Sequence, residues 1–243
     1  MKAIILAAGR GSRMKTMTED RPKCLVELCG KPLLGWQLSA LHGAGISEVA
    51  IVTGYQRELL ASHASMEFHN PCWAVTNMVS SLECARLWLQ AEPCIVSYSD
   101  IFYDASAVRA LMETNAELAI TYDPNWRALW ERRFVDPLSD AETFIIDKNS
   151  NLTEIGQRAK QIEEIQGQYM GLLRFTPASW QKIEVLRGEL EPAVRDKQDM
   201  TGLLWRLIAE HRVAIRALPY TDKWGEIDSM EDLAIYDSSS RCK

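Results

Sequence analysis

Residues 2–23 read KAIILAAGRGSRMKTMTEDRPK, and the fold turns on how this stretch is parsed. The apolar run Lys2–Ala8 carries no alternation of polar and apolar positions, so it predicts a strand buried on both faces rather than one that faces water. It stops at Gly9. From there the spacing is G-x-G-x-R-x4-T-x3-P-K, supplied by Gly9, Gly11, Arg13, Thr18, Pro22 and Lys23. Glycines directly after a buried strand let backbone amides approach phosphate oxygens without a side chain in the way. Arg13 adds a planar, permanently charged fork suited to β and γ phosphates, and Lys23 adds a point charge able to reach an α phosphate. A dinucleotide-binding loop needs a third glycine leading directly into a helix and an acidic residue about twenty positions on. The third glycine is absent and the loop runs on through basic residues to a Pro-Lys pair, so it predicts a triphosphate.

Outward from this stretch, strand and helix patterns alternate. Pro32 heads a helical pattern through about Leu41, Glu48–Thr53 reads as a second buried strand, and Tyr55–Ser65 as a helix. Thr76–Gln90 (helix), Pro93–Ser97 (strand), Asp104–Asn115 (helix) and Glu117–Tyr122 (strand) continue the rhythm. This order predicts an α/β, Rossmann-like, doubly wound, mainly parallel sheet whose ligands bind beyond the carboxyl ends of the strands. The rhythm breaks between about 123 and 171, which reads as an insertion or lid with short strand-like pieces at Thr143–Asp147, Leu152–Ile155 and Tyr169–Phe175. Pro177–Leu186 and Thr201–His211 are helical, Val213–Leu218 is a strand, and Met230 to about Asp237 is a closing helix. Residues 1–243 are expected to form a single domain carrying that one insertion.

Composition excludes several classes. The net charge of −6 argues against nucleic-acid binding. Within residues 1–33, however, seven basic side chains face three acidic ones, which points to a polyanion docking there. The apolar N-terminus is too short for a membrane span and lacks a signal-peptide cleavage pattern, so a cytoplasmic protein without a membrane partner is expected. The six cysteines, among them Cys242, form no CxxC pair and read as reduced structural thiols, and the four histidines show no metal-ligand spacing.

The loop pattern resembles the signature of nucleotidyltransferases, the family of sugar-phosphate thymidylyl- and uridylyltransferases and of smaller cytidylyltransferases acting on phosphocholine or phosphonates. The resemblance implies that the glycine loop wraps the triphosphate, with Leu6, Ala7, Ala8, Gly9 and Gly11 as nucleotide-binding residues, and that Arg13 and Lys23 are catalytic. It further implies Mg²⁺ held by Asp100, at a strand end, and Asp228, in WGEIDSMEDL. Read alone, Asp228 is also a candidate cap for the closing helix, with Glu231 completing a capping box. Glu226 is a weaker metal candidate.

Thr76–Leu82, TNMVSSL, is similar to the N-N-x-x-S-L segment of the same cytidylyltransferases. This implies that Asn77 and Ser81 meet base and ribose and that the nucleotide is CTP. Met78 replaces the second asparagine, and Asn77 read alone is equally a helix N-cap. The run Trp126–Phe144 with EIG and QYMGLLRF resembles cytidylyltransferases acting on phosphorylated glutamine, which implies a small phosphorylated amine or phosphonate as acceptor. Asp136, Asp140 and Glu142 are suited to an ammonium, and Trp126, Trp130, Tyr169 and Trp224 are candidates to line the acceptor site. Two alternatives stay open: a sugar-1-phosphate nucleotidyltransferase using UTP or dTTP, and a regulatory subunit that binds nucleotide without turnover.

Overall fold

The structure, a computed structural model, describes residues 1–60, 62–63 and 65–237. A seven-stranded sheet forms its centre. We label its strands in chain order: β1 (Lys2–Ala7), β2 (Val49–Thr53), β3 (Met66–His69), β4 (Cys94–Tyr98), β5 (Leu118–Asp123), β6 (Gln168–Phe175) and β7 (Ile215–Pro219). Their spatial order is β7-β5-β6-β4-β1-β2-β3. β1 is central because its side chains are buried in both directions. Ile4, Leu6 and Ala8 pack on one face with helices 78–83, 177–188 and 200–209, and Ala3, Ile5 and Ala7 pack on the other with helices 33–43 and 105–113. Such two-sided burial is what a continuous apolar strand demands.

All neighbouring strands run parallel except β6, which is antiparallel to both β4 and β5. The cause is chain path. β5 ends at the carboxyl edge, residues 124–167 build a helix (Trp126–Arg133) and a hairpin (Glu142–Ile146 with Leu152–Arg158), and the chain then re-enters the sheet at Gln168. Tyr169–Phe175, expected within or beside the insertion, is thus a central strand. Two other expectations are corrected. Tyr55–Ser65 is no helix among its described residues beyond a single turn at Arg57–Leu59, and it leads into the short edge strand β3. Only four residues long and half-exposed, β3 has too little pattern to be read from sequence. The thiols Cys24, Cys72, Cys84 and Cys94 are free, whereas Cys29 is disulfide-bonded; Cys242 lies outside the described residues. No described helix is long and apolar enough to cross a membrane.

A small ladder outside the main sheet sets the position of two carboxylates. Ile101–Tyr103 pairs antiparallel with Trp224–Glu226, with Glu226 opposite Ile101, and the Ile227 amide donates to the Asp100 carbonyl at 2.9 Å. Asp100 and Asp228, far apart in sequence, are thereby fixed at the same end of one ladder.

Gly171 in β6 sits at φ +78°, and a Cβ there would lie 2.7 Å from the Tyr98 ring. The left-handed backbone costs a non-glycine residue about 1–2 kcal/mol, and overpacking adds about 1–3 kcal/mol. Gly171→Ala is therefore expected to lower the urea midpoint by an amount equivalent to about 2–5 kcal/mol with an unchanged denaturant slope, and a shift well under 1 kcal/mol would contradict this packing.

Candidate active site

The glycine loop follows β1 and folds back over Lys23. Gly11 adopts φ +69°, and a Cβ on it would stand 2.8 Å from the Lys23 Cβ, so the close approach of loop and lysine requires glycine. The Thr18 hydroxyl donates to the Gly11 carbonyl at 3.0 Å and the Tyr55 amide donates to the Ala8 carbonyl at 3.0 Å, pinning both ends of the turn.

Beneath the loop the Lys23 ammonium, 6% exposed, donates to Asp100 Oδ2 at 2.9 Å and to Asp228 Oδ1 at 2.5 Å. Burial alone would lower the lysine pKa, but the two carboxylates outweigh it and hold the pKa above its ordinary value. Arg13 pairs with the other oxygen of Asp228 at 2.9 Å, from a side chain that is 68% exposed. The four expected residues Arg13, Lys23, Asp100 and Asp228 thus form one cluster.

Asp228 does not cap the closing helix. Ser229 does: its hydroxyl accepts the Asp232 amide at 3.1 Å, while the Asp232 carboxylate accepts the amides of Asp228 and Ser229 at 2.9 and 3.0 Å. Asp232, not Glu231, completes the cap, and the Asp228 carboxylate is left free to face the lysine.

Arg133 was not legible as a site residue. It ends the helix of the 124–167 segment, and its fully buried side chain reaches Glu226 at 3.0 Å and Asp232 at 2.7 and 3.2 Å. Its charge is costly to bury without partners, and the two carboxylates raise its pKa against that burial. Glu226 is pushed up to about 8 by burial and by the nearby Asp228 and Asp100. One oxygen each from Asp100, Glu226 and Asp228 lie within 4.8 Å of one another, and Asp100 Oδ1 is buried with no hydrogen-bond partner. A buried carboxylate oxygen with no donor, beside two more carboxylates, is the donor set that suits a hard divalent cation.

Beside the loop a groove is lined by Leu6, Ala8, Gly9, Trp73, Thr76, Asn77, Met78 and Ser81. Among the expected nucleotide-binding residues, Ala7 points away, into the opposite core face at 2% exposure. Asn77 is a helix N-cap, with its Oδ1 accepting the Met78 amide at 2.7 Å, and it also lines the groove. Asn70, unread in the sequence, donates to the hydroxyls of Ser81 and Thr76 at 2.9 and 3.0 Å. Trp73 packs so closely on Gly54 that a Cβ there would stand 2.6 Å from the Trp73 Cβ. Trp73 went unread in the sequence, where only the glycine directly after β2 marks the place of this close packing.

The expected acceptor residues divide. Trp126, Trp130 and Trp224 are 3%, 3% and 4% exposed, and their indole N–H groups donate inward to the Ile165 carbonyl, Asp140 and Asp123. They belong to the interior, as large aromatics usually do, and the Trp130 ring already faces the Arg133 guanidinium, 5.0 Å from its centroid. Tyr169 stacks edge-on against Tyr98 with ring centroids 5.7 Å apart, and Glu142 is held nearby through its carbonyl, which accepts from Gln168 at 3.1 Å. The surrounding protein, with Asp199 and Asp140, pushes the Glu142 carboxyl up to about 7, although solvent still reaches it.

The chain as a whole has counterparts among known proteins. Residues 3–181 match the model of the MobA-like NTP transferase domain. The chain belongs to that family. It is therefore a nucleotidyltransferase, and the Rossmann-like sheet and the loop signature agree with that membership. The chain is 36% identical to CTP:phosphoglutamine cytidylyltransferase of Campylobacter jejuni, over 97% of this chain and 98% of that protein. Choline-phosphate cytidylyltransferase of Streptococcus pneumoniae is 50% identical over 24% of this chain and 25% of its own length. The solved structure of the inositol-1-phosphate CTP transferase from T. maritima superimposes with a TM-score of 0.78, at 19% identity, over 99% of this chain and 95% of that one, a likeness of fold.

The raised Glu142 sets a pH dependence. From its ordinary value of 4.5 up to about 7 the folded chain holds a proton that the unfolded chain has lost, so this group's contribution to stability falls as pH rises through that window. Glu142→Gln is expected to flatten the decline, leaving the variant at least as stable as the parent above pH 7 in thermal melts and no more stable below pH 4.5. An unchanged pH profile would remove Glu142 as its source.

Proposed function

We propose that the protein transfers a cytidylyl group from CTP to a small phosphorylated amine or phosphonate, of which phosphoglutamine is the leading candidate, with release of pyrophosphate. One observation carries the chemistry: Lys23, Asp100 and Asp228 meet under the glycine loop, at the place where an α phosphate would lie over the loop amides. The choice of CTP and of acceptor rests on the near-full-length likeness to the Campylobacter jejuni enzyme. Glu142, on which Asp140 and Asp199 act electrostatically, stands near the Tyr98–Tyr169 ring pair, and its carboxylate is chemically suited to the acceptor's ammonium.

In the reaction an oxygen of the acceptor phosphate or phosphonate attacks the α phosphorus in line, forming one O–P bond as the bond to the β-phosphate oxygen breaks. The nucleophile is already anionic at neutral pH, so no general base is needed and catalysis is positioning with charge neutralisation. Arg13 holds the β and γ phosphates, and Lys23 meets the charge that develops at the α phosphorus. Asp100 and Asp228, with Glu226 beside them, would hold a divalent ion, Mg²⁺ in this proposal, which supplies further neutralisation.

The decisive assay follows pyrophosphate release with Mg²⁺ and each of CTP, UTP, dTTP and GTP against phosphoglutamine, phosphocholine, 2-aminoethylphosphonate and a hexose 1-phosphate. Release with CTP and an amine-bearing acceptor is expected. Release only with UTP or dTTP and the sugar phosphate would replace this reading with the sugar-nucleotide one, and no release with any pair would leave a non-catalytic nucleotide-binding subunit.

Lys23→Ala is expected to lower kcat roughly 100- to 1,000-fold while KM for CTP changes only a few-fold, because the lysine acts where charge develops. Equal losses in both constants would make it a docking charge. Its substitution by methionine has a second, opposite signature. Removing the ammonium leaves Asp100 without a cation and Asp228 with only Arg13 and Arg133, so Lys23→Met is expected to bind Mn²⁺ more tightly than the parent in the absence of nucleotide, read by electron paramagnetic resonance of free Mn²⁺. Weaker Mn²⁺ binding would show that the carboxylates do not hold the metal.

A further inference from the structure

Arg187, near the end of helix 177–188, is 2% exposed and lies behind the groove rather than in it. Its guanidinium grips two things at once. One nitrogen donates to the Arg195 carbonyl and to Gln198 Oε1, both at 3.1 Å; the other donates to the Ser80 hydroxyl at 3.1 Å and to Glu83 at 2.9 Å. The first pair lies on the strap 195–198, and the second on helix 78–83, whose start forms the groove wall. The strap in turn holds Asn77: the Asp196 carbonyl accepts the Asn77 amide at 2.7 Å, and the Lys197 carbonyl accepts Asn77 Nδ2 at 3.1 Å.

These contacts decide which way the Asn77 side-chain amide points. A carbonyl can only accept, so the Lys197 oxygen requires the amide nitrogen on its side. The Met78 N–H can only donate, so it requires the amide oxygen on the helix side. The flip is fixed, with one N–H and one oxygen lone pair still available. Cytosine offers an acceptor (N3) beside a donor (the N4 amino group), whereas uracil offers a donor (N3–H) beside an acceptor (O4). The two edges are mirror patterns, and an amide able to flip would serve either.

A buried cation is a poor device for stability alone, since an apolar side chain of similar size often does as well. Here only one of the four partners of Arg187 is a carboxylate, Glu83, and its side chain is 43% exposed, so Coulomb gain is modest. What the guanidinium does supply is four directed bonds between strap and helix. We propose that Arg187 is a positioning residue for nucleobase selection: it locks the strap 195–198 against helix 78–83, which fixes the Asn77 amide in the one orientation that discriminates cytosine from uracil. This rests on the cytidylyl reading and on Asn77 meeting the base.

The test compares kcat/KM for CTP and UTP, at a fixed saturating acceptor, in the parent, Arg187→Met, Gln198→Met and Glu83→Gln, with a thermal melt of each. Arg187→Met is expected to lower the CTP-to-UTP ratio roughly tenfold, the worth of one well-directed hydrogen bond, chiefly through KM for CTP with kcat within about threefold. Gln198→Met, which removes one strap contact and keeps the guanidinium, gives a smaller loss in the same direction and serves if Arg187→Met does not fold. Glu83→Gln leaves the strap contacts in place and keeps the parental ratio. An unchanged ratio in Arg187→Met and Gln198→Met alongside a lowered melting temperature would overturn the proposal and leave Arg187 a purely structural residue. A parent enzyme that uses CTP and UTP equally would instead overturn the cytidylyl reading, and this proposal with it.

Discussion

The Lys23 ammonium between Asp100 and Asp228 is the interaction on which the remainder of the architecture depends. A lysine 6% exposed cannot keep its charge without carboxylates at hydrogen-bonding distance, and here the two that serve come from the end of β4 and from the approach to the last helix. Delivering them demands the 101–103/224–226 ladder, which in turn demands that the last part of the chain return across the carboxyl edge of the sheet. Arg133 and Asp232 form a second ring around the same point. Asp232 orients the backbone of Asp228 and Ser229, and Arg133 neutralises Asp232 and Glu226 from the far side. Loss of Lys23 or of Arg133 would leave carboxylates facing one another with less positive charge between them.

Periodicity and chemistry made different parts of this legible. β1, β2, β4 and β5 were readable because each is a continuous apolar run, a signal that depends only on burial of both faces. Arg13 and Lys23 were readable from the glycine turn and the Pro-Lys pair. Asp100 at a strand end and Asp228 at a helix start were singled out only by the resemblance to nucleotidyltransferases, because neither position by itself distinguishes a ligand from a solvated charge or a cap. Arg133 and Arg187 carry no such mark. Each is one arginine in a run of ordinary helix, and its importance is created by which carboxylates and carbonyls the tertiary fold brings to it. The same holds for Asn70, whose role is to anchor Ser81 through a loop that has no pattern of its own.

The direction of β6 was hidden for a related reason. Its sequence, QYMGLLRF, is as apolar as the parallel strands, and period cannot tell which way a strand runs. Direction is set by the 44 residues 124–167 that precede it: their hairpin reaches down along β7, where Asn151 bridges Arg216, and the chain returns to the carboxyl edge, where Gln168 pairs with Asp123 as it enters the sheet. One consequence is functional. Because β6 enters from the site side, its first residues, Gln168 and Tyr169, lie at the rim beside Tyr98 and hold Glu142, whereas an ordinary parallel strand in that slot would present its last residues there.

On the proposed function, the unequal exposure of Arg13 and Lys23 would order how a triphosphate engages them. The Arg13 pair with Asp228 belongs to a side chain that is 68% exposed, and exposed pairs are worth about 0–1 kcal/mol, so phosphate oxygens displace it at little cost. The Lys23 pairs are buried, where the effective dielectric is far lower than in water, and the same charges at the same distances attract several times more strongly. Lys23 therefore leaves its carboxylates only when another cation takes its place there. Drawing it away with phosphate alone would leave Asp100 without a cation and Asp228 with only Arg13 and Arg133. On the proposed function, Asp100 and Asp228 would hold a divalent ion in place of the ammonium and Lys23 would then be free to turn to the α phosphate, so its alignment would depend on ion and nucleotide together rather than on either alone.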